Sequence, residues 1–310
     1  MVTSPRPIAL AGIGKIARDA HIPALRDSDD WEIAAAISRN DGIDGVDTYG
    51  DIDSFLEARP EVETVSLALP PGPRFAYAVK ALRAGRNVML EKPPGRTLAE
   101  CETLVDLARE KGVSLFASWH SRMGSAVRMA ADRLDGARID RITIDWREDV
   151  RRTHPGQDWI WAPGSLGVFD PGINAFSILV RMLDRPVHVQ SANLLFPENR
   201  GTPIAATVDF AHPEGAEIRA DLDFRHDGDP VWDIIVEGDR GTLTVGCSGS
   251  TLSIDGTSVD TEGAIEYPAV YARFADLVRA GESEVDLRPL RHVADAFLIG
   301  AHERVAPFEW

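Results

Sequence analysis

The sequence predicts an α/β chain in two parts: a parallel sheet interleaved with helices, then an α+β domain on an open, largely antiparallel sheet. Three observations carry this. Strand and helix signals alternate through the first part, as in βαβ units. In the second part strand patterns follow one another directly, separated by short turns. A length of 310 residues suits two domains, and 44% hydrophobic residues supply apolar material for two cores. The boundary falls near residues 120–125, giving domains of 1–122 and 123–310.

The first part offers strands at Ile8–Ala11, Glu32–Ile37, Thr64–Leu69, Asn87–Leu90 and Val113–Ala117. Between them lie helix signals. Pro73 suits the first position of a helix and Gly85 its close. Thr97-Leu98-Ala99-Glu100 reads as a capping box. Leu98, Cys101, Leu104, Val105 and Ala108 follow at helical spacing, and Gly112 ends the run. Cys101 is thereby read as a core residue. In the second part Ile139–Arg147 alternates as a strand does. So does "AEIRADLDFR", with Ile218, Ala220, Leu222 and Phe224 on one face. Further strands are expected near 187–196, 204–210, 231–237, 242–246 and 251–255. One helix near 169–183 interrupts them, a last helix spans about 288–304, and a long loop links Arg147 to Asp170.

The net charge of −16 argues against a nucleic-acid partner and against an anionic membrane surface. It fits a soluble protein with a small ligand, and two cysteines that suggest no disulfide framework fit a reducing cytoplasm. Cys101 and Cys247 lie too far apart for metal-ligand spacing, so no metal is expected. The N-terminus lacks a basic region followed by an apolar run, and no stretch reaches the ~18 apolar residues of a membrane span.

"IALAGIGKIARDAHIPAL" places Gly12-Ile13-Gly14-Lys15-Ile16-Ala17 after a strand and before a helix. This G-x-G-x-x-A run permits a tight turn at Gly12 and close approach of a pyrophosphate at Gly14. Ala17 allows close helix–strand packing. Glycines also mark plain turns, but the strand–turn–helix context favours a dinucleotide. An acid at the end of the second strand would bond the ribose 2′-hydroxyl of NAD. "AAAISRN" has Ser38 and Arg39 there instead. Arg39 is either an ordinary surface residue or the partner of a 2′-phosphate. The missing acid and added cation favour NADP, with NAD possible.

Lys92 follows the strand Asn87–Leu90 and so lies on the same sheet edge as the glycine turn. Pro93 and Pro94 stiffen the turn behind it. Spacing leaves two readings open: a solvated lysine paired with Glu91, or a rigidly mounted proton carrier.

"GIGKIARDAHIPAL", "LEKPPG" and "GVFDPGIN" together resemble the glucose–fructose oxidoreductase/inositol dehydrogenase (Gfo/Idh/MocA) family. The resemblance covers nearly the whole chain. It implies a Rossmann dinucleotide-binding domain, a C-terminal domain on an open sheet, and a catalytic lysine in the Glu-Lys-Pro motif. Within the family, "WHSR", "EDVRRTHPGQDWIW" and "DLRPLR" look most like the aldose 1-dehydrogenases. Those oxidise L-arabinose or D-galactose at C1 with NAD(P)+. The resemblance extends the cofactor set from Gly12, Ile13, Gly14, Lys15, Ile16, Ser38 and Arg39 to Pro70, Glu91, Lys92 and His120. It also suggests association into a dimer or tetramer.

Many members of the family carry Asp and His four residues apart on one helix, the His accepting a proton. Here the run is Asp170-Pro171-Gly172-Ile173-Asn174. Spacing of four keeps both side chains on one face, but an amide does not titrate near neutrality. Proton transfer then falls to Lys92 and Asp170. Taken alone, Asp170 before a proline is also a good helix cap, and Asn174 a polar surface residue. The resemblance points to Lys92, His120, Glu148, His154, Asp170 and Asn174 as sugar contacts. Trp159 and Trp232 could add apolar walls, since sugars present CH faces beside their hydroxyls. Singly, each histidine is better read as structural and each tryptophan as core. Two other activities fit the family: a polyol dehydrogenase on an inositol-like ring, and a non-catalytic NADP-binding regulator.

Overall fold

A computed structural model describes residues 4–261 and 266–310. The chain divides into two compact units that are not linear in sequence. One runs to His120 and takes in Glu266–Leu287; the other runs from Ser121 and takes in Arg288–Trp310. The stretch 123–310 is therefore not one body, because Glu266–Leu287 returns to the first unit.

The first unit holds β1 (Arg6–Ala11), β2 (Trp31–Ile37), β3 (Thr48–Tyr49), β4 (Thr64–Leu67), β5 (Asn87–Glu91) and β6 (Leu115–Ser118). All pair in parallel, in the order β3-β2-β1-β4-β5-β6. The order reverses between β1 and β4, which opens a crevice beyond their carboxyl ends. Apolar residues on the strands, among them Ala9, Val65, Leu67, Val88, Leu90 and Leu115, form the core with the helices packed on them. Those helices are α1 (Ile22–Arg26), α2 (Ile52–Ala58), α3 (Pro71–Arg83) and α4 (Leu98–Lys111). Helix α3 starts at Pro71, two residues before Pro73, since both prolines fit the first turn, where an amide has no partner to lose.

Thr97 caps α4 by accepting from Glu100 N at 3.2 Å. The return half of the box differs: Glu100 Oε2 accepts from Arg96 N, one residue before the cap. Cys101, Leu104 and Ala108 are buried as their spacing predicts, and Gly112 ends the helix with φ +65°. A return helix, Glu266–Ala280, adds Tyr267, Val270, Tyr271, Phe274 and Leu277 to the interior. Its Phe274 ring stacks on Trp31, and Trp31 Nε1 donates to Tyr271 O.

The second unit begins with α5 (Ser125–Leu134), β7 (Ile139–Arg147), α6 (Val150–Thr153) and α7 (Phe169–Met182). Strands β8 (His188–Pro197), β9 (Ala205–Ala211), β10 (Glu217–Asp223), β11 (Val231–Gly238), β12 (Gly241–Gly246), β13 (Thr251–Ile254), β14 (Thr257–Val259) and β15 (Ala301–Val305) complete it. The described strands form one nine-stranded sheet, β14-β13-β12-β11-β7-β10-β9-β8-β15. Its neighbours are antiparallel except for β7–β10 and β8–β15. The final helix is shorter than expected, Arg288–Ile299: Gly300 breaks it and β15 follows, occupying residues expected as helix. Nor is the Arg147–Asp170 segment a plain loop. Asp149 caps α6 by accepting from Arg151 N, and a 3₁₀ turn covers Asp158–Trp161.

Candidate active site

The glycine loop leaves β1 at the reversal of strand order. Gly12 is required by the chain itself: its φ is +88°, and an added Cβ would lie 2.9 Å from Leu69 N. Gly14 is not, since a Cβ there would meet nothing within 4 Å. A glycine that the protein does not need leaves room for what binds beside it. Ile13 is buried beneath the loop, while Gly14, Lys15 and Ile16 are exposed above it. Lys15 bonds to Asp19 one turn on. These features fit a dinucleotide, with the pyrophosphate over Gly14 at the helix start.

Ser38 follows β2, and its hydroxyl accepts from Asn40 N at 3.3 Å. Arg39 beside it is exposed and forms no ion pair among the described residues. Pro70 is exposed at the start of α3. Ser38, Arg39, Pro70 and the glycine loop all stand at the carboxyl ends of the parallel strands.

Glu91 and Lys92 leave β5 on that same edge. Glu91 is not the surface partner of a solvated lysine, because it is 4% exposed. Its Oε2 accepts from Lys92 N at 2.6 Å and its Oε1 from Tyr267 Oη at 2.7 Å. Burial pushes the carboxyl upward, but His21, His120 and Tyr267 outweigh it and hold the group well below the carboxylate range. Tyr267 moves the other way: burial and the neighbouring Glu91 charge raise its phenol well above the ordinary value. Arg74 of α3, 2% exposed, donates to the carbonyls of Leu69, Glu91 and Pro93. The peptide groups on both sides of Lys92 are thus held from inside the protein. His120 is partly buried, stacks on Tyr267 at 5.2 Å, and places Nδ1 2.7 Å from Glu266 Oε2.

In the second unit, Asp170 and Asn174 lie on α7, almost all of which is buried. Asp170 sits in the first turn and is not the cap, which is Val168. Gly172 packs against β10, where a Cβ would come 2.7 Å from Leu222 Cδ1. Asp170 and Asn174 are each two residues from Gly172, ~200° around the helix, and so face away from the sheet. Asn174 Oδ1 is a buried acceptor with no hydrogen-bond partner among the described residues.

Glu148 follows β7 and is 1% exposed. Its Oε1 accepts from Thr153 Oγ1 at 2.6 Å and lies 2.9 Å from His154 Nε2; its Oε2 accepts from Trp232 Nε1 at 2.8 Å. The structure therefore brings Glu148, His154 and Trp232 together, with Glu148 at the hub. Trp159 is half-buried in the 3₁₀ turn, its carbonyl accepting from Ser165 Oγ. No group of three or more His, Cys, Asp or Glu among the described residues could hold a metal ion. The sequence reading missed Arg74, His21 and Tyr267. Their partners are carbonyls or residues distant along the chain, which no spacing rule exposes.

A profile of the oxidoreductase family with an NAD-binding Rossmann fold (GFO_IDH_MocA) matches residues 6–118. The chain is 38% identical over 304 residues to galactose 1-dehydrogenase of Pseudomonas fluorescens, covering 98% of this chain and 99% of that protein. A crystal structure of D-galactose-1-dehydrogenase from Rhizobium etli superposes with a TM-score of 0.96 at 46% identity. That match covers 100% of this chain and 99% of the other. A 3-ketoreductase from Actinomadura kijaniata, in complex with NADP and TDP-benzene, shares the fold at a TM-score of 0.81 and 19% identity, over 97% of this chain and 100% of its own.

Proposed function

This chain belongs to the Gfo/Idh/MocA oxidoreductase family, and from that premise we propose that it oxidises a pyranose sugar at C1 to the aldonolactone. Its substrate is D-galactose, L-arabinose or a close analogue, with NADP its preferred cofactor and NAD an alternative. The observation that carries this reading is the mounting of Lys92: a lysine on the ligand edge of a parallel sheet, with the polar groups of its peptide neighbours engaged by buried Glu91 and Arg74. A surface lysine has no need of such a frame. Similarity to two galactose 1-dehydrogenases along the full chain supplies the substrate class.

Gly12, Ile13, Gly14, Lys15 and Ile16 cradle the pyrophosphate, and Ser38 and Arg39 take the 2′-phosphate. When bound, the oxidised nicotinamide supplies the acceptor for the electron pair leaving C1. Lys92 takes the proton of the C1 hydroxyl, and Asp170 is its assisting carboxylate. Asn174 accepts a hydrogen bond from a sugar hydroxyl through its unpartnered Oδ1 but cannot titrate. Glu148 orients His154 and Trp232 toward the sugar, the first for hydroxyls and the second for an apolar CH face.

Initial rates with D-galactose, L-arabinose, D-xylose, D-glucose and myo-inositol, each with NAD+ and NADP+, test the reading. D-galactose or L-arabinose should exceed myo-inositol by at least about tenfold in kcat/KM, and Lys92→Ala should lower that turnover ~10³-fold while dinucleotide affinity holds. Preference for myo-inositol, or parental turnover in Lys92→Ala, overturns it.

A further inference from the structure

His21 lies in an uncommon piece of helix. Between the glycine loop and α1, Ala17–His21 forms a π-helical turn. Such a turn fits one more residue than an α-turn does and recurs at functional sites. Here the widened turn carries the imidazole inward, where it is fully buried. Its Nδ1 is 2.7 Å from Tyr271 Oη, and Ser66 Oγ lies 3.1 Å from that same hydroxyl. Its Nε2 is 3.4 Å from Glu91 Oε1, at ion-pair range though off the line of a hydrogen bond. The ring meets Tyr267 and Tyr271 edge-on, at 4.8 and 5.8 Å.

Four elements meet in one buried network, in which His21 and Tyr267 reach the Glu91 carboxylate and Tyr271 and Ser66 stand behind His21. The π-turn sends His21, the return helix sends Tyr267 and Tyr271, β4 sends Ser66 and β5 carries Glu91 itself. Glu91 in turn accepts the amide of Lys92. We propose that His21, Tyr267 and Tyr271 are positioning residues for Lys92 and act through the Glu91 carboxylate. The proposal rests on the reading of Lys92 as the proton carrier.

The physical case runs through rotamers. A carboxylate fixed by Tyr267 on one oxygen and the Lys92 amide on the other has no second orientation to visit without leaving a buried donor unpaired. Tyr271 bridges His21 and Ser66, which fixes His21 against Glu91 from behind. The same network ties the glycine loop to the lysine loop: His21 sits four residues after Ala17, the last position of the glycine motif. Tyr267 also stacks on His120, so one ring from the return helix braces both residues on the ligand edge.

Two measurements on the full-length protein test this, one of them independent of turnover. The first is kcat, KM and dinucleotide affinity for Tyr267→Phe and His21→Asn. Tyr267→Phe removes a single oxygen and keeps both ring contacts. A lysine displaced by a fraction of an ångström should cost about tenfold in kcat, with dinucleotide affinity within about twofold of the parent. The second is amide hydrogen exchange at Lys92, resolved in the loop because Pro93 and Pro94 carry no amide. Exchange there should rise about tenfold in both variants while the rest of β5 keeps its protection. Parental kcat and parental Lys92 exchange in Tyr267→Phe overturn the proposal, and that variant decides alone if His21→Asn does not fold. Weakened dinucleotide binding with intact kcat also overturns it, because the network would then serve the glycine loop only. If the parent oxidises no sugar, the proposed function fails while the exchange arm still tests the positioning.

Discussion

Arg39 and Arg74 are two arginines of one unit with opposite environments. Arg74 is buried and gives its donors to three backbone carbonyls, two of which, at Glu91 and Pro93, flank Lys92. Arg39 is exposed at the end of β2, without an ion pair among the described residues. Only the second was legible, because the selector position of a dinucleotide fold is fixed by its distance from the glycine turn. Arg74 answers to backbone geometry, which leaves no mark in residue types. Glu148 lies between these cases. Resemblance points to it as a sugar contact, but the engagement of its oxygens by Thr153, His154 and Trp232 depends on the fold. For Arg39 the expected outcome is direct. Arg39→Ala should raise the KM for NADP by about tenfold or more, the scale of a lost charge-assisted hydrogen bond, and move the KM for NAD by less than about twofold. Initial rates with each cofactor decide it, and equal changes would exclude a 2′-phosphate clamp.

At the scale of elements, helix α4 was readable from end to end. Its cap, its apolar spacing and its closing glycine are all local, and the structure keeps them. The return helix is amphipathic too, with Tyr267, Val270, Tyr271, Phe274 and Leu277 at helical period. It lies between β14 and the final helix, in a region where strand alternation dominates, and its destination is a sheet built far earlier in the chain. Sequence order gives no hint of that return. Strand β15 is hidden differently: its residues continue the polar pattern of a helix surface, and only pairing with β8 draws them out as a strand. The burial of Cys101 on α4 has a chemical consequence. Lack of solvation, with nearby Glu100, pushes its thiol up to about 12, whereas Cys247 is exposed in the second unit. Titration of the native protein with an aromatic disulfide at pH 8 should release one equivalent of thiolate, rising to two after denaturation. A Cys247→Ser variant should release none while folded; rapid release of two equivalents from the native parent would contradict the burial of Cys101.

For the molecule as a whole, the discontinuity of the first unit matters most. Read linearly, residues 1–122 hold the entire parallel sheet and should fold alone. The structure assigns that unit a further piece. Tyr271 and Phe274 of the return helix are fully buried, and Phe274 stacks between Trp31 and Phe116 at 5.4 and 6.0 Å. Past the helix the chain runs beside β6: Glu284 N donates to Leu115 O, and Ala117 N donates to Glu284 O. Trp119 Nε1 donates to Asp286 O at 2.8 Å. A fragment ending at residue 122 would expose Trp31 and Phe116 and leave this edge of β6 unpaired. Val270, Tyr271, Phe274 and Leu277 would each withdraw about 2 kcal/mol of burial, together on the order of 8 kcal/mol. A domain of this size has only about 5–15 kcal/mol of net stability, so the loss is of the same scale as the whole. The 1–122 fragment should therefore show no cooperative thermal transition by circular dichroism. The same fragment joined through a flexible linker to residues 266–287 should regain one, together with dinucleotide binding through the glycine loop. A cooperative melt from the shorter fragment would mean that the parallel sheet is self-sufficient and that the return segment only decorates it.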